Sequence, residues 1–191
     1  MNVQVFDDVL PDPLAYRSAA LARQFQTVDV GAVFHGIAVC GDDPTLPAWM
    51  ADRFGLPSLL SFFRQSPEGQ QEPNYIHTDC DMGEWTAILY LTPNPAPGDG
   101  TTFWRHIPSG RIATETGATS EANLKEVLAW RDLSQWEPWR TVDARFNRLL
   151  VFPSPYYHSR ALKQNYGHGE TARLIQVLFG AGVLPQEPVC L

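Results

Sequence analysis

The chain has 191 residues, of which 44% are hydrophobic and 18% charged, an ordinary globular composition with enough length to bury one core. Its net charge of -7, without any run of Lys or Arg, argues against nucleic acid or an anionic membrane surface as partner and leaves a small molecule or a peptide. No window approaches the roughly 20 apolar residues of a membrane span. Met1 to Leu10 carries Asp7 and Asp8 where a secretory signal needs a basic start and then an apolar run. With three cysteines, Cys40, Cys80 and Cys190, that lack metal-site spacing, the chain reads as a cytoplasmic protein with reduced thiols.

In chain order, Val3 to Phe6 reads as a short strand, and Pro13 opens a helix with Asp12 as its N-cap. From Gly31 to Gly55 glycines, prolines and an Asp42-Asp43-Pro44 turn break any long period, although Leu46 to Phe54 suits one short helix. Short β-type runs follow at Leu59 to Arg64, Glu72 to Asp79, Thr86 to Leu91, Thr101 to Trp104, Phe146 to Phe152 and Thr171 to Phe179. Many short strands separated by turns predict an antiparallel barrel or sandwich with helices packed outside it. Between Arg105 and Asp143 lies a long excursion, with a helix expected near Ser120 to Trp130 and further tryptophans at 136 and 139. The expected organisation is a single domain over 1–191, with a β core over 59–180, a helical N-terminal support over 1–58 and a folded insertion over 105–143 near a site mouth.

The chemistry-bearing residues are few. In Tyr75-Ile76-His77-Thr78-Asp79 an imidazole and a carboxylate stand two residues apart, on one face if the segment is extended. His158, after the apolar run Leu149 to Phe152, completes a set of two histidines and one carboxylate. Such a triad with open positions opposite it suits non-haem iron(II) and dioxygen. On the Thr86 to Leu91 strand Tyr90 shares a face with Thr86 and Ile88, and on the last strand Arg173 shares one with Ile175, Val177 and Phe179. An arginine on an apolar face needs an anion. That anion is either a buried acid such as Asp143 or Glu170, or a carboxylate ligand held by Arg173 and Tyr90.

These motifs, with Gly98-Asp99-Gly100-Thr101-Thr102-Phe103, Arg148 to His158 and Gly169-Glu170-Thr171-Ala172-Arg173, resemble the iron(II)- and 2-oxoglutarate-dependent dioxygenase superfamily, closest to its prolyl-hydroxylase-like branch. The run Thr102-Phe103-Trp104-Arg105-His106 with Ser109-Gly110 and Phe146 to Leu149 further resembles an uncharacterised bacterial family within it. The resemblance implies a mainly β fold with flanking helices, built on a double-stranded β-helix, a jelly-roll core of cupin type. It implies His77, Asp79 and His158 as catalytic ligands of Fe(II), Arg173 and Tyr90 as the residues that hold the 2-oxoglutarate cosubstrate, and O2 as the oxidant. The gap from His158 to Arg173 is longer than in prolyl hydroxylases, which makes Arg160 and Lys163 alternative anchors. The implied reaction is hydroxylation of an amino acid, peptide or small metabolite, with succinate and CO2 as co-products; because Asp79 is present, halogenation is disfavoured.

Candidate substrate contacts are Trp85, Arg105, His106 and Arg148, while His35 and His168 read as surface residues. Two other functions compete with the oxygenase: a barrel that binds metal or ligand without turnover, and a cupin-type metal-dependent isomerase or hydrolase. The latter has no use for Arg173 and Tyr90 on inward faces.

Overall fold

The structure is a computed structural model and describes residues 2–29, 33–70, 75–114 and 132–185. In chain order its elements are β1 (Gln4–Phe6), α1 (Pro13–Leu21), β2 (Gln26–Asp29), β3 (Val33–Val39), α2 (Thr45–Phe54), β4 (Ser58–Ser66), β5 (Trp85–Tyr90), β6 (Gly100–His106), β7 (Trp136–Asp143), β8 (Arg148–Pro153), β9 (His158–Arg160) and β10 (Arg173–Gly180). As the sequence predicts, α1 starts on a cap: Ala15 N donates to Asp12 Oδ1 at 3.0 Å, and Pro13 needs no donor of its own.

Seven strands form one antiparallel sheet in the order β1-β8-β5-β10-β4-β3-β2, and three form a second in the order β7-β6-β9. The two face each other as a double-stranded β-helix, the jelly-roll core that was expected. Every residue of β5 and β10 is buried, because both faces of the large sheet are covered. Alternation sends Trp85, Ala87 and Leu89 of β5, with Leu174 and Leu178 of β10, into a core shared with α1 and α2. The intervening Ile88, Tyr90, Ile175, Val177 and Phe179 meet Phe103 and Val142 of the small sheet.

Several expectations are corrected. The first 58 residues hold three strands as well as two helices, and β3 extends the large sheet by pairing with β4. Glycine hid that strand: Gly36 has φ of +69°, and a Cβ on it would lie 2.0 Å from Gln65 O, so this close approach admits no side chain. The stretch read as an insertion ends in β7, which pairs along the whole of β6 and completes the small sheet. The helix expected near 120–130 lies outside the described residues. Between Tyr75 and Asp79 only His77 forms a β-bridge, so the ligand segment is extended without being a regular strand.

Two proposed substrate contacts are structural. Trp85 is fully buried on the helix-facing side, donates Nε1 to Ala181 O at 3.1 Å and packs where a Cβ on Gly180 would fall 1.9 Å from its ring. Arg148 pairs with Asp7, Nε to Oδ1 at 2.7 Å, and donates Nη1 to Asp143 O, tying β8 to the N-terminus. Trp85→Ala should therefore lower stability by about 3–5 kcal/mol in urea unfolding while the folded fraction keeps its metal affinity.

Candidate metal centre

The site forms where the Tyr75 to Asp79 segment is zipped onto the start of β9. His77 N donates to His158 O at 3.0 Å, His158 N returns a bond to His77 O at 2.9 Å, and Asp79 N donates to Ser154 O at 2.9 Å. This antiparallel pairing brings the three predicted ligands together, with one ligand atom from each lying within 4.8 Å of the others. His158 Nε2 stands 3.3 Å from Asp79 Oδ2, and His77 Nε2 stands 3.8 Å from Oδ1.

The fit to a divalent metal is good on donor chemistry. Each ring aims Nδ1 at a backbone carbonyl two residues earlier, His77 at Tyr75 O (3.3 Å) and His158 at Tyr156 O (2.9 Å). In the neutral ring a proton held at Nδ1 by that carbonyl leaves the Nε2 lone pair free for the shared position. The Thr86 hydroxyl donates to Asp79 Oδ2 at 3.0 Å and lies 2.9 Å from Ser154 Oγ, which fixes the carboxylate from behind. Phe103 and Phe152 wall the His158 ring, with centroids at 6.4 and 4.8 Å.

The electrostatics separate the two histidines. Burial, then repulsion from a charged His158, pushes His77 down to about 4, although 35% of its side-chain surface stays open. Burial pulls the same way on His158, but the charge and hydrogen bond of Asp79 outweigh it and hold its pKa above the usual 6.5. Burial would raise Asp79; the His158 charge and hydrogen bond, with His77 and Thr86, reverse this and keep it ionised.

The second cluster lies along the inward face from His77, Asp79 and His158. Tyr90 Oη is 2.7 Å from Thr101 Oγ1, and burial pushes its pKa up, so the phenol stays neutral. Thr101 stands two residues along β6 from Phe103, the partner of His158, a rise of roughly 7 Å. Arg173 is 6% exposed and faces inward as predicted. Its buried partner is Asp99, not Asp143 or Glu170: Nε donates to Oδ1 and Oδ2 at 2.9 and 3.1 Å. Burial would lower the Arg173 pKa, but the Asp99 charge outweighs it. Of the alternative anchors, Arg160 is engaged in bonds to Asn165 and Lys163 O, and Lys163 is exposed.

Of the other proposed contacts, Arg105 pairs with Glu137 at 2.9 Å near the end of the β6–β7 pair, both of them exposed to solvent. His106 is buried with its ring tilted against Trp136, centroids 4.8 Å apart, and Nδ1 2.9 Å from Ser109 Oγ. Sequence reasoning missed Asp99 as a charge partner, Ser154 behind Asp79, and Arg64, an arginine on β4 whose charge reaches His77. Asp99 had a signal, an acid between Gly98 and Gly100 at the start of a β-type run. Ser154 had none.

Replacing any one of His77, Asp79 or His158 with Ala should weaken metal binding by more than about a hundredfold, and Thr86→Val by about ten- to a hundredfold, in titrations with Co(II). Metal binding should also release a proton. Near pH 6.5 His77 is neutral and Asp79 ionised, whereas His158 is still largely protonated. Affinity should therefore tighten as pH rises through the elevated His158 pKa, with about one proton released per ion below it, measured calorimetrically in buffers of different ionisation enthalpy.

Comparison with known proteins bears on the fold and the family. The carbocyclase SnoK from nogalamycin biosynthesis, described as non-haem and α-ketoglutarate-dependent, aligns over 97% of this chain and 82% of its own at 14% identity, with a TM-score of 0.56. AviO1 from Streptomyces viridochromogenes Tue57 aligns over 97% and 92% at 12% identity with a TM-score of 0.55. HygX from Streptomyces hygroscopicus, crystallised with iron, aligns over 92% and 80% at 14% identity with a TM-score of 0.54. At such identities the likeness is one of fold. No curated protein matches in sequence. One family profile spans residues 57–173, from the start of β4 to Arg173 and so across the whole metal cluster. Covering more than half of the chain, that match makes this protein a member of the family of unknown function DUF6445.

Proposed function

We propose that this protein is a non-haem iron(II)- and 2-oxoglutarate-dependent oxygenase that hydroxylates an amino acid, a peptide or a small metabolite, with succinate and CO2 as co-products. The observation that carries this reading is the convergence of His77, Asp79 and His158 on one position, with each ring's Nδ1 set against a backbone carbonyl and the carboxylate fixed by Thr86. Iron(II) held there by His77, Asp79 and His158 would, with 2-oxoglutarate and O2, supply the oxidising chemistry.

The chain's own residues do the placing. The carbonyls of Tyr75 and Tyr156 keep both imidazoles in the metal-binding tautomer. Phe103 and Phe152 exclude water from the His158 side. Arg173 and the neutral phenol of Tyr90 receive the distal carboxylate of 2-oxoglutarate, at the far end of the same inward face. Asp79 fills the place that a halide would need, so oxidation at a C–H bond is favoured over halogenation. SnoK performs carbocyclisation on a similar fold, so product analysis should distinguish a gained oxygen from lost hydrogens.

A second reading, a barrel that binds metal or ligand without turnover, draws support from Asp99, which already compensates the Arg173 charge. The two separate in one assay. With iron(II), ascorbate and 2-oxoglutarate the oxygenase should form succinate, and chelation with EDTA or His77→Ala should reduce the rate below about 1%. Iron binding without succinate formation across a library of amino acids, peptides and metabolites would establish the binding barrel instead.

A further inference from the structure

We propose that Asp99 is a positioning residue of the site: it grips Arg173 by its Nε edge and leaves the two terminal guanidinium nitrogens for the distal carboxylate of a dicarboxylate cosubstrate. This rests on the cosubstrate reading given above.

The grip is built into the backbone. Asp99 lies between Gly98, with φ of +80°, and Gly100, with φ of +152°, where a Cβ would fall 2.1 Å from Val142 O. Its own amide donates to Ala96 O at 3.0 Å, and its carbonyl accepts from Ala144 N at 2.8 Å. Thus pinned, the carboxylate is 3% exposed and accepts from Gly100 N (2.7 Å), from the Tyr166 hydroxyl (2.7 Å) and from Arg173 Nε. Both oxygens are in use. Burial and the Asp99 charge push Tyr166 up to about 12, so it remains a donor.

The form of the ion pair carries the argument. A pair built for strength alone sets guanidinium and carboxylate fork to fork with two parallel bonds. Here a single N–H is shared between both oxygens, and the Arg173 side chain makes no other hydrogen bond among the described residues. The edge suited to bidentate recognition is left over. Asp99 and Thr101 share one face of the chain at the start of β6, so the same short stretch fixes Arg173 through one residue and Tyr90 through the other. Asp99 also supplies the anion that a buried arginine requires while no cosubstrate is present.

The test compares two ligands of Ni(II)-loaded protein by calorimetry: 2-oxoglutarate, and 2-oxopentanoate, which has the same chain length without the distal carboxylate. Asp99→Ala should weaken 2-oxoglutarate by about tenfold or more and leave 2-oxopentanoate within about twofold. Asp99→Asn keeps an acceptor for Arg173 Nε and should restore 2-oxoglutarate binding to within about threefold of wild type. Tyr166→Phe, which removes one bond and spares the fold if the alanine variant unfolds, should show a smaller loss of the same selective kind. An unchanged ratio of the two affinities in Asp99→Ala or, failing that protein, in Tyr166→Phe overturns the proposal, as does an equal loss for both ligands. If the wild type itself does not prefer 2-oxoglutarate, it is the cosubstrate reading that fails.

Discussion

Two backbone hydrogen bonds between His77 and His158 set the register of the site, because they join two segments far apart in the chain. The side-chain period of a ladder is two, so a slip of one residue in the Tyr75 to Asp79 segment would turn His77 and Asp79 away from His158, which β6 holds in place. The pairing also orders what surrounds it. Asp79 N on Ser154 O draws the Pro153-Ser154-Pro155 corner beneath the carboxylate, and there Ser154 meets the Thr86 hydroxyl of β5. The meeting of His77, Asp79 and His158, the carbonyl contacts of both rings and the support of the carboxylate therefore follow from one register.

The large sheet gives this register a rigid floor. Covered on both faces, β5 and β10 divide their side chains between a helix-facing core and the space between the sheets. The inner space is apolar in its middle, with Ile88, Phe103, Phe152 and Val177, and polar at two ends. One end holds His77, Asp79 and His158; the other holds Asp99, Arg173 and Tyr166, with Tyr90 and Thr101 beside them. At each end positive and negative groups stand in contact, so neither leaves an uncompensated charge in a low-dielectric interior.

Much of this was legible in the residues. The cap at Asp12, the inward faces of Tyr90 and Arg173, and the choice of His77, Asp79 and His158 as a candidate set follow from local rules of period and donor chemistry. Other features were not legible. Trp85 and Arg148 have the chemistry of substrate contacts, and their removal from that role depends on which sheet face and which partner they meet. The strands β3 and β7 carry weak local patterns, one interrupted by Gly36 and the other by Pro138, and exist because β4 and β6 offer edges to pair with.

By itself the sequence determined the alternation that buries one set of side chains and presents another, and the presence of two imidazoles and a carboxylate at spacings a metal can use. It determined that Arg173 needs an anion. Only the tertiary structure decided which anion, because Asp99 and Arg173 are joined through a turn and a strand far apart in the chain. It likewise decided that His77 and His158 share one ladder. Contacts of that kind depend on register and on the facing of sheets, which no local window of residues contains.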